Sequence, residues 1–214
     1  MASKPIDRPE FLFQSVNLIQ EVITHSAPDD PHWVPIAPGV AFRPLMFDVT
    51  QGGWSTLLRV APGCRLARHY HTAPVHGFTV RGCWRYPEHD WVAREGSYIF
   101  EPPGEAHTLV VDAGEEKMLS FFVTRGSLIY TDAEGHQVGY EDVFTRLEQA
   151  REHFEAAGLD QSILDAMVRY DHLPVNLPGE TGRNSPVGEH TDEEEVQCIK
   201  RRTVVFRTAA VLAV

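Results

Sequence analysis

The sequence predicts an all-β barrel or sandwich with helices added on its C-terminal side. Two observations carry this expectation. Between about Trp33 and Val138, short runs rich in Val, Ile, Thr, Phe, Tyr and Trp alternate with punctuation such as Ala61-Pro62-Gly63 and Pro102-Pro103-Gly104. From Tyr140 onward the apolar period changes, and Val143, Leu147, Ala150 and Phe154 recur at helical spacing.

Residues 1–32 read as an N-terminal extension, without the apolar run that a signal peptide needs. Residues 33–138 carry the strand rhythm and leave no room for a helix of ordinary length; Tyr130 to His136 reads as a hairpin around a Gly-containing turn. Residues 139–172 read as two amphipathic helices packed on the barrel, broken at Gly158, the second capped by Asp160 and burying Ile163, Met167 and Val168. Beyond Pro174 the composition shifts to Gly, Pro, Asn and Ser and then to the acidic run Thr191 to Glu195, so residues 173–214 are expected to form an atypical tail with little reason to order. Its last stretch, Thr203 to Val214, is apolar and is left open between an added strand and a tail.

Composition narrows the function classes. The formal net charge is −11, from 19 basic against 30 acidic residues, and repels a phosphate backbone; the one basic cluster noted is Lys200-Arg201-Arg202, so no nucleic-acid partner is expected. No stretch reaches the length of a membrane span. Three cysteines without a C-x-x-C pair suit neither a disulfide scaffold nor a zinc ribbon, and a cytoplasmic home is expected. Cys64 has no base at a recognisable spacing and reads as a small packing residue.

The chemistry lies in two segments. In Gly63-Cys64-Arg65-Leu66-Ala67-Arg68-His69-Tyr70-His71, a strand projects His69 and His71 to one face, where both can address one ion. In Gly96-Ser97-Tyr98-Ile99-Phe100-Glu101-Pro102-Pro103-Gly104-Glu105-Ala106-His107, a strand ends in a Pro-Pro-Gly turn that delivers a third histidine. His76 shares parity with Phe78, Val80, Gly82, Trp84 and Tyr86, taken to look inward; it is either a further ligand or a polar residue at the barrel mouth. Glu101 either accepts the second ring proton of a ligand histidine, fixing its tautomer, or is a solvated residue.

Together the two segments resemble the paired motifs of the cupin superfamily: Gly, five residues, H-x-H and a later Gly, then Gly, five residues, P-x-G, two residues and His. Val111 replaces the usual final Asn. The resemblance implies a small antiparallel barrel with a metal in its mouth, held by His69, His71 and His107. The carboxylate that many cupins place shortly after H-x-H is missing from Thr72-Ala73-Pro74-Val75-His76. Three neutral imidazoles leave the ion its double charge and open positions, as in the three-histidine iron dioxygenases of that superfamily. Fe(2+) is therefore the expected ion, with Zn, Ni or Mn as other ions that imidazole accepts.

The run His76 to Val92, with Glu101 to Leu109, is similar to the 2,4'-dihydroxyacetophenone dioxygenase group of cupins, a likeness covering about residues 12 to 172. It implies cleavage of the bond between the carbonyl and hydroxymethyl carbons of an aryl hydroxyketone by O2, giving an aryl carboxylate and formate; from their positions in the sequence, Glu101 and His76 are the candidate catalytic residues. Trp84, Tyr86, Phe78 and Phe100 are then candidates to line an aromatic pocket and Arg85 to meet a phenolate. A homodimer or homotetramer is expected. Two other classes stand beside this one: a non-catalytic metal-binding or regulatory cupin, and a sugar or small-acid isomerase or decarboxylase.

Overall fold

The structure, a computed structural model, describes residues 23–25, 27 and 30–169. Most of the expected N-terminal extension and the whole of the 173–214 tail, with Cys198, lie outside the described residues. The first strands are β1 (Val34–Ala37), β2 (Val40–Asp48), β3 (Gly53–Val60), β4 (Arg65–His71), β5 (Val75–Arg81), β6 (Cys83–Arg85) and β7 (Val92–Arg94). They are followed by β8 (Tyr98–Glu101), β9 (Ala106–Val110), β10 (Met118–Arg125), β11 (Leu128–Thr131), β12 (Gln137–Glu141), α1 (Val143–Ala156), α2 (Gln161–Asp165) and β13 (Val168–Arg169).

One sheet has the order β1-β2-β3-β10-β5-β8, with β13 pairing parallel to β2; the other runs β12-β11-β4-β9-β6-β7, and every other pairing is antiparallel. The facing sides bury Phe42, Phe47, Val60, Trp84 and Met118 almost completely. Burial of each such side chain stabilises the fold by about 1.5–3 kcal/mol. The Trp84 indole N–H donates to the Thr79 hydroxyl at 2.9 Å, so this large side chain is buried without an orphan donor.

Gly82 is where the chain leaves one sheet for the other. It adopts φ +74°, and a Cβ there would sit 2.8 Å from the Lys117 carbonyl oxygen. This turn resets the side-chain alternation, so β5 and β6 do not share one parity. His76, Phe78 and Val80 are exposed, whereas Trp84 and Tyr86 are buried. The expectation that all five look inward is thereby corrected.

The hairpin read from Tyr130 to His136 is present as the β11–β12 pair. Helix α1 buries Val143, Leu147, Ala150 and Phe154, the residues its period selects. Asp142 caps it, accepting from the backbone N–H groups of Phe144 and Thr145, while the Thr145 hydroxyl accepts from the Asp142 N–H. Asp160 caps the next segment, accepting from the Ser162 N–H at 2.9 Å, after Gly158 at φ +65°. That segment is not the second amphipathic helix expected. It is a five-residue turn of helix that buries Leu164 and leaves Ile163 exposed. The reason is competition for the backbone: Phe47 and Val49 of the β2 region donate to the carbonyls of Met167 and Arg169, drawing Val168 into a strand. Among the described residues no helix is long and apolar enough to cross a membrane, and Cys64 and Cys83 are free thiols.

Candidate metal centre

Strand pairing assembles the histidines. β4 lies between β9 and β11, with His69 opposite His107 on one side and opposite Tyr130 on the other. An irregularity between Leu66 and His69 in the β4–β9 ladder sets this register. The two motifs are also tied through the backbone, because the Gly104 N–H donates to the His71 carbonyl at 2.8 Å. Gly104 takes φ +88° there, the left-handed conformation that the Pro-Pro-Gly turn requires.

His69, His71 and His107 are 3%, 4% and 1% exposed, and one ring nitrogen from each lies within 4.8 Å of the others. The His69 ring stands edge-on to both neighbours, with centroids 4.9 Å away in each case. Its Nδ1 lies 2.7 Å from the Ala67 carbonyl, so the hydrogen sits on Nδ1 and Nε2 keeps its lone pair. The His107 ring is stacked on Tyr86 at 4.0 Å and 3°. Among the described residues His107 Nε2 and His71 Nδ1 are buried without a hydrogen-bond partner.

A carboxylate joins the cluster from the second motif. Glu101, 4% exposed, places Oε2 2.9 Å from His71 Nε2 and 3.7 Å from His107 Nε2, and its Oε1 accepts from the Tyr86 hydroxyl. The segment after H-x-H does lack an acid, but the alternation along β8 brings Glu101 beside the histidines. His76 does not come to the site. It is exposed, its Nδ1 2.8 Å from the Tyr98 hydroxyl, and the reading of it as a catalytic or ligand residue is corrected by the parity reset described above.

Burial, followed by the proximity of His71 and His107, pushes the His69 imidazole down to about 3. Burial likewise lowers His107. Burial alone pulls Glu101 upward, but the hydrogen bond and charge of His71 outweigh it and hold the carboxyl below its ordinary range. The Tyr86 phenol is raised well above its usual value by burial and by the Glu101 charge. The His69 and His107 imidazoles are thus neutral and the Glu101 acid ionised near neutrality, protonation states that suit a divalent ion. Buried nitrogens without partners, three convergent imidazoles and one carboxylate form a donor set that fits Fe(2+) or another borderline cation.

His69 and His71 open on a cavity of about 50 Å³, enough for an ion with a few water-sized ligands. Trp54, Val75, Phe122 and Leu128 form apolar walls, and Glu101 and Arg146 bring opposite charges. Of the expected pocket residues only Tyr86 lines this cavity. Phe78 and Phe100 stand on the outer face, 45% and 52% exposed, and Arg85 holds Asp112 through two 2.8 Å contacts near the surface.

Comparison with solved structures gives the same architecture. An RmlC-like cupin protein from Ralstonia eutropha JMP134 is 32% identical, with a TM-score of 0.57, covering 60% of this chain and 84% of that one. A protein of unknown function with a cupin-like fold from the same organism is 24% identical, with a TM-score of 0.55, covering 64% and 91%. An acetylacetone dioxygenase from Acinetobacter johnsonii is 16% identical, with a TM-score of 0.56, covering 66% and 99%, a likeness of fold alone. No curated protein matches the chain. The model of the ChrR cupin-like domain matches residues 21–132, just over half of the chain and both histidine segments, so this protein belongs to the ChrR cupin-like family.

Proposed function

We propose that the protein is a mononuclear non-haem iron dioxygenase that uses O2 to cleave an aryl hydroxyketone of the 2,4'-dihydroxyacetophenone type to an aryl carboxylate and formate. The observation that carries this reading is the buried cluster of His69, His71 and His107, with His107 Nε2 unpartnered and Glu101 beside it. These residues would hold the ion. A bound ion supplies Lewis acidity toward the two ketol oxygens and redox chemistry toward O2.

The protein's own groups have separate tasks. The Ala67 carbonyl orients the His69 ring, and the stacked Tyr86 ring fixes that of His107. Glu101, held by the Tyr86 hydroxyl, is the acid that the described residues bring to the cavity wall and serves as acceptor for the substrate hydroxyl proton. The apolar walls limit water around the reacting carbons.

Oxygen uptake by iron-loaded protein tests this directly. Iron-dependent uptake with 2,4'-dihydroxyacetophenone, release of formate and loss of both in His107→Ala are expected. No uptake from a sample shown to contain iron would sink the reading. The narrowness of the cavity supports a second one, a non-catalytic metal-binding cupin, for which tight zinc binding without turnover is the expected result.

A further inference from the structure

The buried cation of the cavity comes from outside the barrel. Arg146 belongs to α1, is 5% exposed, and lines the same cavity as His69, His71 and Glu101. An arginine so far from water is retained only when it is held. Its Nη2 pairs with Glu141, its Nη1 donates to the Gln149 side chain at 3.3 Å, and the guanidinium lies 4.8 Å from the centre of the Phe42 ring. Glu141 is itself held, accepting from the Tyr130 hydroxyl at 2.8 Å and the Gln149 amide at 3.3 Å.

Two features separate this arrangement from a tie between helix and barrel. Glu141 already has neutral donors in Tyr130 and Gln149, so its carboxylate does not depend on the arginine alone. The guanidinium fork has more N–H donors than Glu141 and Gln149 consume, and Arg146 lines the metal cavity. Tyr130, whose ring is 5.7 Å from that of His69, links this network to the metal centre. Arg85, the arginine that the sequence offers for a phenolate, is engaged with Asp112 away from the cavity.

We infer that Arg146 is a substrate-positioning residue: its guanidinium receives an oxyanion of the substrate, phenolate or carboxylate, distal to the two oxygens that chelate the metal. This deepens the metal-centre reading and rests on it. The substrate class it selects is a chelating ketol or 2-oxo compound carrying a second acidic oxygen. Helix α1 then has a role in specificity as well as in covering the barrel.

The test uses full-length protein loaded with zinc, which binds without turning over, and calorimetric titration with 2,4'-dihydroxyacetophenone and with 2-hydroxyacetophenone, which lacks the phenol. The native protein is expected to prefer the phenol-bearing ketol by about tenfold, the value of one hydrogen bond to a charged group. Arg146→Met should remove that preference and leave the affinity for 2-hydroxyacetophenone within about twofold, and Arg146→Lys should restore part of it. Should Arg146→Met fail to fold, Arg146→Met with Glu141→Gln removes both charges together and the same comparison applies. A preference that persists in the methionine variants, or an equal loss for both ligands, overturns the inference. If neither ketol binds protein shown to hold zinc, the hydroxyketone reading fails. The inference then stands or falls on 2-oxoglutarate against 2-oxobutanoate, with the same loss of preference required.

Discussion

The two faces of strand β8 invert the usual distribution of polarity. Ile99 and Glu101 point inward and are buried, whereas Tyr98 and Phe100 point outward and are 63% and 52% exposed. On the neighbouring β5, Val75 and Thr79 are buried while His76, Phe78 and Val80 are exposed. The inner face carries a carboxylate, the outer face rings. The lesson is that burial of a charged group marks a site when its partners converge on one point, as His71, His107 and Tyr86 converge on Glu101. Exposed rings, by contrast, pair across strands, Phe78 opposite Tyr98 and His76 opposite Phe100.

Substitutions that separate the two faces test this difference, the largest effect first. His107→Ala removes one of three convergent nitrogens and should lower bound metal, read by elemental analysis after dialysis, by about tenfold or more, at least the effect of losing a partner that only orients a ligand. His76→Ala on the outer face should leave metal content unchanged; a loss equal to that of His107→Ala would collapse the distinction. The same contrast extends to α1. Phe154→Ala empties a fully buried position and should cost about 3–5 kcal/mol in urea unfolding. Phe144→Ala, on the exposed face of that helix, should stay within about 0.5 kcal/mol.

Adjacent residues on β8 sharpen it further. Glu101→Ala leaves the buried Tyr86 hydroxyl and His71 Nε2 without their acceptor and should cost about 2–3 kcal/mol, measured on metal-free protein. Phe100→Ser, one position along, should cost less than about 1 kcal/mol. Equal costs would show that the carboxylate is not bound to its neighbours as described.

The last effect is a pH dependence. His69 is held at about 3 in the fold against an ordinary 6.5, so between those values the unfolded chain binds a proton that the barrel refuses. Stability of the metal-free protein should therefore be fully present above pH 6.5 and fall as pH drops toward 3, by at most about 1.4 kcal/mol per unit from this group. The lowered Glu101 acts in the same sense at its acid end. Urea midpoints measured with chelator from pH 7 to 4 check the sign, and a flat or rising profile on acidification would contradict it.

Much of this was legible before any coordinate. The helical face of Val143, Leu147, Ala150 and Phe154 follows from period, the Asp160 cap from residue chemistry, and the convergence of His69 with His71 from the alternation of a single strand. These are local relations, decided by a few bonds and a repeat length. The inward view of His76 failed because one left-handed glycine, Gly82, breaks the alternation that parity assumes. The second amphipathic helix failed because pairing with β2 outbid helical hydrogen bonds for the backbone near Val168.

What the sequence by itself determined is the set of residues able to ligate a metal and the strand-rich chain that bears them. Only the tertiary structure decided which acid stands beside them and which cation faces them. Glu101 reaches the histidines from β8 across two sheets, and Arg146 reaches the cavity from α1. Register, sheet closure and helix docking set those distances, and none of the three is written in the spacing of residues along the chain.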